Sequence, residues 1–250
     1  MRFMQLIRVD PDVDPGPDTD PTAWVEDTTR RGIRVRGDRL RPESDATTVR
    51  RRDGATLVTD GPFAEAREQI GGFDLLEAGS LDEAVAVAAA HPVARFGAIE
   101  VRAIMPFGDP QLDAERSPVA PGDGSATEPP DGWRTYLMLM GTDAEPLDID
   151  FGDAQAASAW RGVLLEWLAD GARRGFLLDG AALRGPEEAK TVRVRAGDTL
   201  VVDGPFAEAR EHVAGYNLIQ VPSLDEAIEL AATHPASLIG PIEIRPVWPM

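Results

Sequence analysis

The nine residues DGPFAEARE stand at Asp60–Glu68 and stand again, 143 positions later, at Asp203–Glu211. The match runs on: of the 47 pairs that align Asp60–Pro106 with Asp203–Pro249, 25 are identical. A chain of this kind is two copies of one unit. The fold of the unit must be formed twice, and contact between the copies has to be explained with it.

The copies divide the chain into 1–106, a connecting segment 107–132, and 133–250. The connector, FGDPQLDAERSPVAPGDGSATEPPDG, is rich in Pro, Gly, Asp and Ser and has no apolar period, so it reads as a linker. As a flexible chain it spans roughly 28 Å, enough for the copies to pack side by side. With 43% apolar residues each copy can bury a core, and the absence of cysteine excludes disulfides, thiolate metal sites and cysteine nucleophiles. That composition and the opening MRFMQLIRVD, which lacks a basic region followed by a long apolar run, point to the cytoplasm. No stretch is apolar for long enough to cross a bilayer. The net charge of −18 repels phosphate backbones and argues against direct nucleic-acid binding. Against that trend, nine arginines fall between Arg30 and Arg52. They read either as an offset to Asp10, Asp12, Asp14, Asp18 and Asp20 or as a basic docking face.

Each copy repeats one order of elements. A strand opens it (Phe3–Val9; Thr135–Met140). A helix follows, well formed in the second copy, where Trp160, Val163, Leu164, Trp167, Leu168 and Gly171 share a face. In the first copy it shrinks to Thr22–Arg31 behind a Pro/Asp-rich stretch. A hairpin comes next, turning at Asp53-Gly54 and at Ala196-Gly197. Another strand follows DGPF. Ser80 with Glu83, and Ser223 with Glu226, then start a second helix as capping boxes, and His91-Pro92 and His234-Pro235 stop it. A closing strand alternates Ile99 and Val101 with Glu100 and Arg102, as Ile242 and Ile244 alternate with Glu243 and Arg245. This order, βαβββαβ, fits a ferredoxin-like α+β sandwich with its helices on one face. The other face needs cover, and the second copy can supply it, so the chain is expected to be an intramolecular pseudo-dimer. The Glu and Arg of the closing strands read as sheet-face charges.

The ordered set DGPFAEARE, then Gly72-Phe73 or Gly215-Tyr216, SLDEA, the His-Pro pair and IEVR or IEIR resembles the YCII-related, DGPF-type family. The resemblance covers nearly all of both copies. It implies a dimeric α+β barrel. Some members look like enzymes with a His and an Asp in a cleft, and others resemble proteins encoded with extracytoplasmic-function sigma factors, so fold analogy leaves the activity open.

The recurrent polar residues are the candidate site. Asp60 and Asp203 end a strand before a Gly-Pro turn, where a carboxylate serves as a general base, binds a cation, or caps the turn. His91 and His234 occupy equivalent positions and read as proton shuttles or as partners of a helix C-terminus. The functional reading places Asp60 with His91, and Asp203 with His234, in one pocket per copy. Glu65, Arg67, Glu208 and Arg210 form either a ligand-binding rim or solvated ion pairs. Trp160 and Trp167 line a pocket or pack in the core. With three histidines spread over the chain, no metal centre is expected, and without a Walker loop, GxGxxG, GxSxG or HExxH no cofactor is expected. Two functions remain open: a protein that binds or converts a small molecule in a His/Asp pocket, and a non-catalytic module with a protein partner such as a sigma factor.

Overall fold

The computed structural model describes residues 1–17, 19–63, 68–105, 129–142, 153–205 and 212–248. Most of the expected linker lies outside them. The fold is α+β, with strands β1 (Arg2–Val9), β2 (Arg34–Arg39), β3 (Thr47–Arg52), β4 (Ala55–Asp60), β5 (Gln69–Glu77) and β6 (Ala98–Met105) in the first copy. The second copy repeats them as β7 (Arg134–Gly141), β8 (Leu177–Leu183), β9 (Lys190–Arg195), β10 (Asp198–Asp203), β11 (Val213–Val221) and β12 (Ile242–Pro246). Helices α1 (Thr22–Arg30) and α2 (Leu81–Ala90) belong to the first copy, α3 (Ala154–Arg174) and α4 (Leu224–Thr233) to the second. No helix among the described residues is long and apolar enough to cross a membrane.

Each copy has one strand more than the sequence suggests, β2 or β8. Arg34-Val35-Arg36-Gly37-Asp38-Arg39 carries no strand signal in the sequence, because its charges break the apolar alternation that marks a strand. In the fold it pairs antiparallel with β5.

Within a copy the strands lie in ferredoxin-like order, β2-β5-β1-β6 and β8-β11-β7-β12, all antiparallel. The copies meet at two strand edges. Ile104 and Met105 of β6 pair with Leu183 and Ala182 of β8. At the pseudo-equivalent place Leu40, just past β2, bridges Val247, just past β12. The path of pairings therefore returns on itself.

The hairpins complete the exchange. Hairpin β3–β4 leaves its own copy and pairs with β12 through Thr47, Thr48 and Val49. Hairpin β9–β10 pairs with β6 through Lys190, Thr191 and Val192. Each copy thus lends a hairpin to the other.

Strand alternation divides the core. Met4, Leu6, Phe73 and Leu75 meet Leu137, Leu139, Tyr216 and Leu218 between the two sheets. Phe3, Leu76, Ile99 and Val101 face α1 and α2 with Trp24, Ala84 and Ala88. Met138, Met140, Ile219 and Ile242 face α3 and α4 with Phe176, Ala227 and Ala231. Both faces of each sheet are covered, which is why runs such as Leu137-Met138-Leu139-Met140 are continuously apolar.

The closing-strand charges are not on a wetted face. Glu100 and Arg102 are each 1% exposed. They point into the space between the sheets, as the pairing of Glu100 with Leu6 and Arg102 with Met4 requires. Arg102 donates to Glu100 and to the Arg184 carbonyl of the other copy. Arg245 likewise donates to Glu243 and, across the copies, to the carbonyls of Arg41 and Ile70 at 2.6 and 2.9 Å. A carboxylate and carbonyl acceptors meet most of the donors of these buried guanidiniums, Arg245 Nε being the exception, so the pair clasps the two copies where their edges meet.

Five of the nine arginines of 30–52 have acidic partners other than the upstream aspartates expected to offset them. Arg30 and Arg31 pair with Asp27, Arg34 with Asp74, Arg36 with Asp38 and Arg41 with Asp45.

The hairpin turns place Asp53 at φ 52° and Gly54 at φ 78°, and Ala196 at φ 53° and Gly197 at φ 91°. Two consecutive left-handed residues suit a two-residue hairpin turn. Asp and Gly tolerate that region; alanine pays about 1 kcal/mol there. Ala196→Asn is expected to stabilise the protein by about 0.5–1 kcal/mol and raise the melting temperature by about 2 °C, measured by calorimetry.

Candidate functional site

The DGP turns are set by backbone geometry. Gly61 and Gly204 have φ of 94° and 97°. Their N–H groups donate to the carbonyls of Ala46 and Ala189, both at 2.9 Å. Their carbonyls accept from Thr48 and Thr191 hydroxyls at 2.7 and 3.0 Å. Glycine is needed at both places because a side chain strains a positive φ. Phe63 packs against the intersheet core.

The aspartates of these turns lie on the outer strands of the hairpins. Asp60 ends β4 and is exposed. Asp203 ends β10, its side chain is 84% exposed, and it meets Lys190 at 2.5 Å. Because each hairpin is lent to the other copy, Asp60 belongs to a hairpin set beside β12 and Asp203 to one set beside β6, each on the strand farther from it. Neither carboxylate is brought to the histidine of its own copy. Glu65, Arg67, Glu208 and Arg210 lie outside the described residues.

The histidines are buried. Each ends a helix and starts a short 3-10 turn, at Pro92–Arg95 and Pro235–Leu238. In that role the ring is an acceptor: His91 Nδ1 takes the N–H of Val93 at 3.1 Å, and His234 Nδ1 takes the N–H of Ala236 at 3.0 Å. The equivalent tryptophans Trp24 and Trp167 stand edge-on to the rings at 4.4 and 4.5 Å. Burial pushes the His91 imidazole down to about 4, helped by the Arg34 charge, and burial alone pushes His234 down to about 3. Both rings are neutral at physiological pH, so a helix dipole is not what holds them. With Nδ1 accepting, the proton sits on Nε2.

Around His234 the second copy has a cavity of about 300 Å³. Helix α3 contributes Trp160, Leu164 and Leu168; the sheet contributes Met140, Ala182 and Asn217; His234 lies at the end of α4. Trp160 therefore lines a pocket, whereas Trp167 packs on His234 and Phe176. The walls are apolar except at Thr142, whose hydroxyl is bonded to the His212 backbone, and at two buried side chains. Asn217 is 1% exposed and His234 2% exposed. Asn217 Nδ2 and His234 Nε2 are both buried without a hydrogen-bond partner. An unmet buried donor costs about 1–3 kcal/mol, so two beside one cavity ask for an explanation.

The first copy differs at this place. Asp74 stands where the second copy has Asn217, and Arg34 where it has Leu177. Arg34 Nε meets Asp74 at 2.6 Å, and its NH2 donates to the Gly37 carbonyl at 2.6 Å. Burial drives the Asp74 carboxyl up to about 6, against the pull of Arg34. The strand glycine makes room in both copies. A Cβ on Gly37 would stand 1.9 Å from Asp74 Oδ1, and one on Gly180 2.0 Å from Asn217 Oδ1. The helical wall differs too: α1 has 9 residues and α3 has 21. The positions matching Trp160 and Leu164 are Pro17 and Pro21, ahead of α1. An ion pair thus fills in the first copy the place that adjoins the cavity in the second.

The sequence singles out His234 and leaves Trp160 open between pocket and core, but Asn217 does not stand out in it. A signal was present: two paired charges of the first copy, Arg34 and Asp74, are both uncharged residues in the second, Leu177 and Asn217.

A family model for the YCII-related domain matches residues 1–108 and again 136–250. The chain belongs to the YCII-related family, and it carries the domain twice. A similar protein from Rhizobium meliloti (strain 1021) is 46% identical over 63 residues, 24% of this chain and 49% of its own length, and is described as uncharacterised. The chain thus matches about half the length of that relative.

Proposed function

We propose that this protein binds a small molecule in the cavity of its second YCII-related domain, and that the first domain keeps a structural part. The observation that carries the reading is the pair of unpartnered buried donors, Asn217 Nδ2 and His234 Nε2, beside a largely apolar cavity. A volume of about 300 Å³ lies at the small end of ligand sites. The ligand would satisfy donors that the protein leaves unmet and would bury apolar surface against Trp160, Leu164 and Leu168. His234 acts here as a neutral donor, and the reading needs no carboxylate partner. Asp60 and Asp203 have no part in it. A protein-docking face built on the arginines of the first domain draws less support, because Arg34 and Arg36 are buried and paired.

A fragment screen by thermal shift on the full chain tests this. Ala182 lines the cavity, and Ala182→Phe fills it. Fragments that stabilise the wild type are expected to lose at least about tenfold in affinity against A182F, with the circular dichroism spectrum unchanged. Fragments that bind A182F as well as wild type would refute the site.

A further inference from the structure

Resting on that site, the two domains together carry a statement about what the ligand is. We infer that the second domain takes an uncharged molecule with an apolar body and a carbonyl oxygen, such as a ketone, ester or amide, and discriminates against carboxylates.

The donors come first. His234 Nδ1 is engaged by the Ala236 N–H, so the proton lies on Nε2, which is buried in the cavity wall, has no partner and cannot accept. Asn217 offers its amide Nδ2–H. Two N–H groups beside a cavity of apolar residues call for an acceptor on the ligand, and a carbonyl oxygen has two lone pairs. A ligand lacking an acceptor would leave both donors unmet.

The charge follows from comparing the domains. At the same place on the same strand the first domain buries a carboxylate, Asp74, and supplies Arg34 to meet it. The second domain replaces both members, with Asn217 and Leu177. The site lacks both the negative and the positive group. A ligand carboxylate would meet no cation there, since no lysine or arginine among the described residues lines the cavity and the position equivalent to Arg34 is Leu177. The other cavity residues of α3 and the sheet named above are uncharged, and His234 is a neutral ring. Burying an ionised group without a counter-charge costs several kcal/mol, whereas a carbonyl needs only the donors already in place.

Three probes of nearly one shape test this on the full chain at pH 7.5: 1-indanone, indane and indane-1-carboxylate, titrated by isothermal calorimetry. The expected order is indanone tightest, with both others weaker by about tenfold or more. Asn217→Leu is expected to weaken indanone about tenfold and to leave indane unchanged. His234→Phe keeps a ring beside Trp167 and is expected to act in the same way; N217L stands as the independent variant should H234F fail to fold. Indane binding as tightly as indanone, or the carboxylate binding tightest, would overturn the inference while leaving a ligand site in place. Failure of all three probes to bind would count against the site itself and take the inference with it.

Discussion

Asp74→Ala is expected to destabilise the protein by about 3–5 kcal/mol, more than any exposed charge could. The reason is what remains behind. Arg34 is 6% exposed, its Nε donates to Asp74, and only the Gly37 carbonyl would still accept from it. A guanidinium cannot shed its charge to escape the cost. For a chain of this size a loss of that order lowers the melting temperature by about 10 °C. The double variant Arg34→Leu/Asp74→Asn installs the two residues that the second domain carries at these positions. It removes both charges and is expected to recover most of the loss, since replacing a whole buried pair is often close to neutral. Thermal denaturation of the wild type, both single variants and the double variant closes the cycle. A double variant as unstable as the sum of the singles would show that the pair does not act as a unit. The prediction bears on the site as well, for it treats the first domain's ion pair as the structural counterpart of the second domain's open cavity.

The repeat made much of the fold legible before any coordinates. Capping serines, turn glycines and the apolar stripes of α2 and α4 are local signals, and local signals recur wherever the unit recurs. Strands β2 and β8 were not legible. Two of their charges are neutralised by partners far along the chain, Arg34 by Asp74 and Asp179 by Arg2, and no periodicity records a partner. The same cause hid the burial of Glu100, Arg102, Glu243 and Arg245, which alternate as a wetted face would but turn toward the other domain. In the site, His234 could be found because it repeats. The pairing of Asp203 with His234 did not follow from repetition, because the hairpin that carries Asp203 crosses to the other domain. Asn217 is informative only as a difference between the copies, and the search for shared residues steps over it.

The central claim is that neither YCII-related domain is a complete folding unit. Separated, the first would expose Met4, Leu6, Phe73 and Leu75, and the second Leu137, Leu139, Tyr216 and Leu218, all buried in one shared cluster. At about 1.5–3 kcal/mol for each side chain, four such residues represent about 6–12 kcal/mol, the size of a whole domain's stability. Each would also lose the strand that its hairpin pairs with, β12 for β3 and β6 for β9. Arg245 and Arg102 would lose carbonyl acceptors in the other domain. The direct test is to produce residues 1–106 and 133–250 as separate polypeptides and to follow each, and their equimolar mixture, by circular dichroism and light scattering. Neither half is expected to give a folded monomer, while the mixture should give a 1:1 complex that melts cooperatively. Two halves that each fold as stable monomers and ignore one another when mixed would contradict the account.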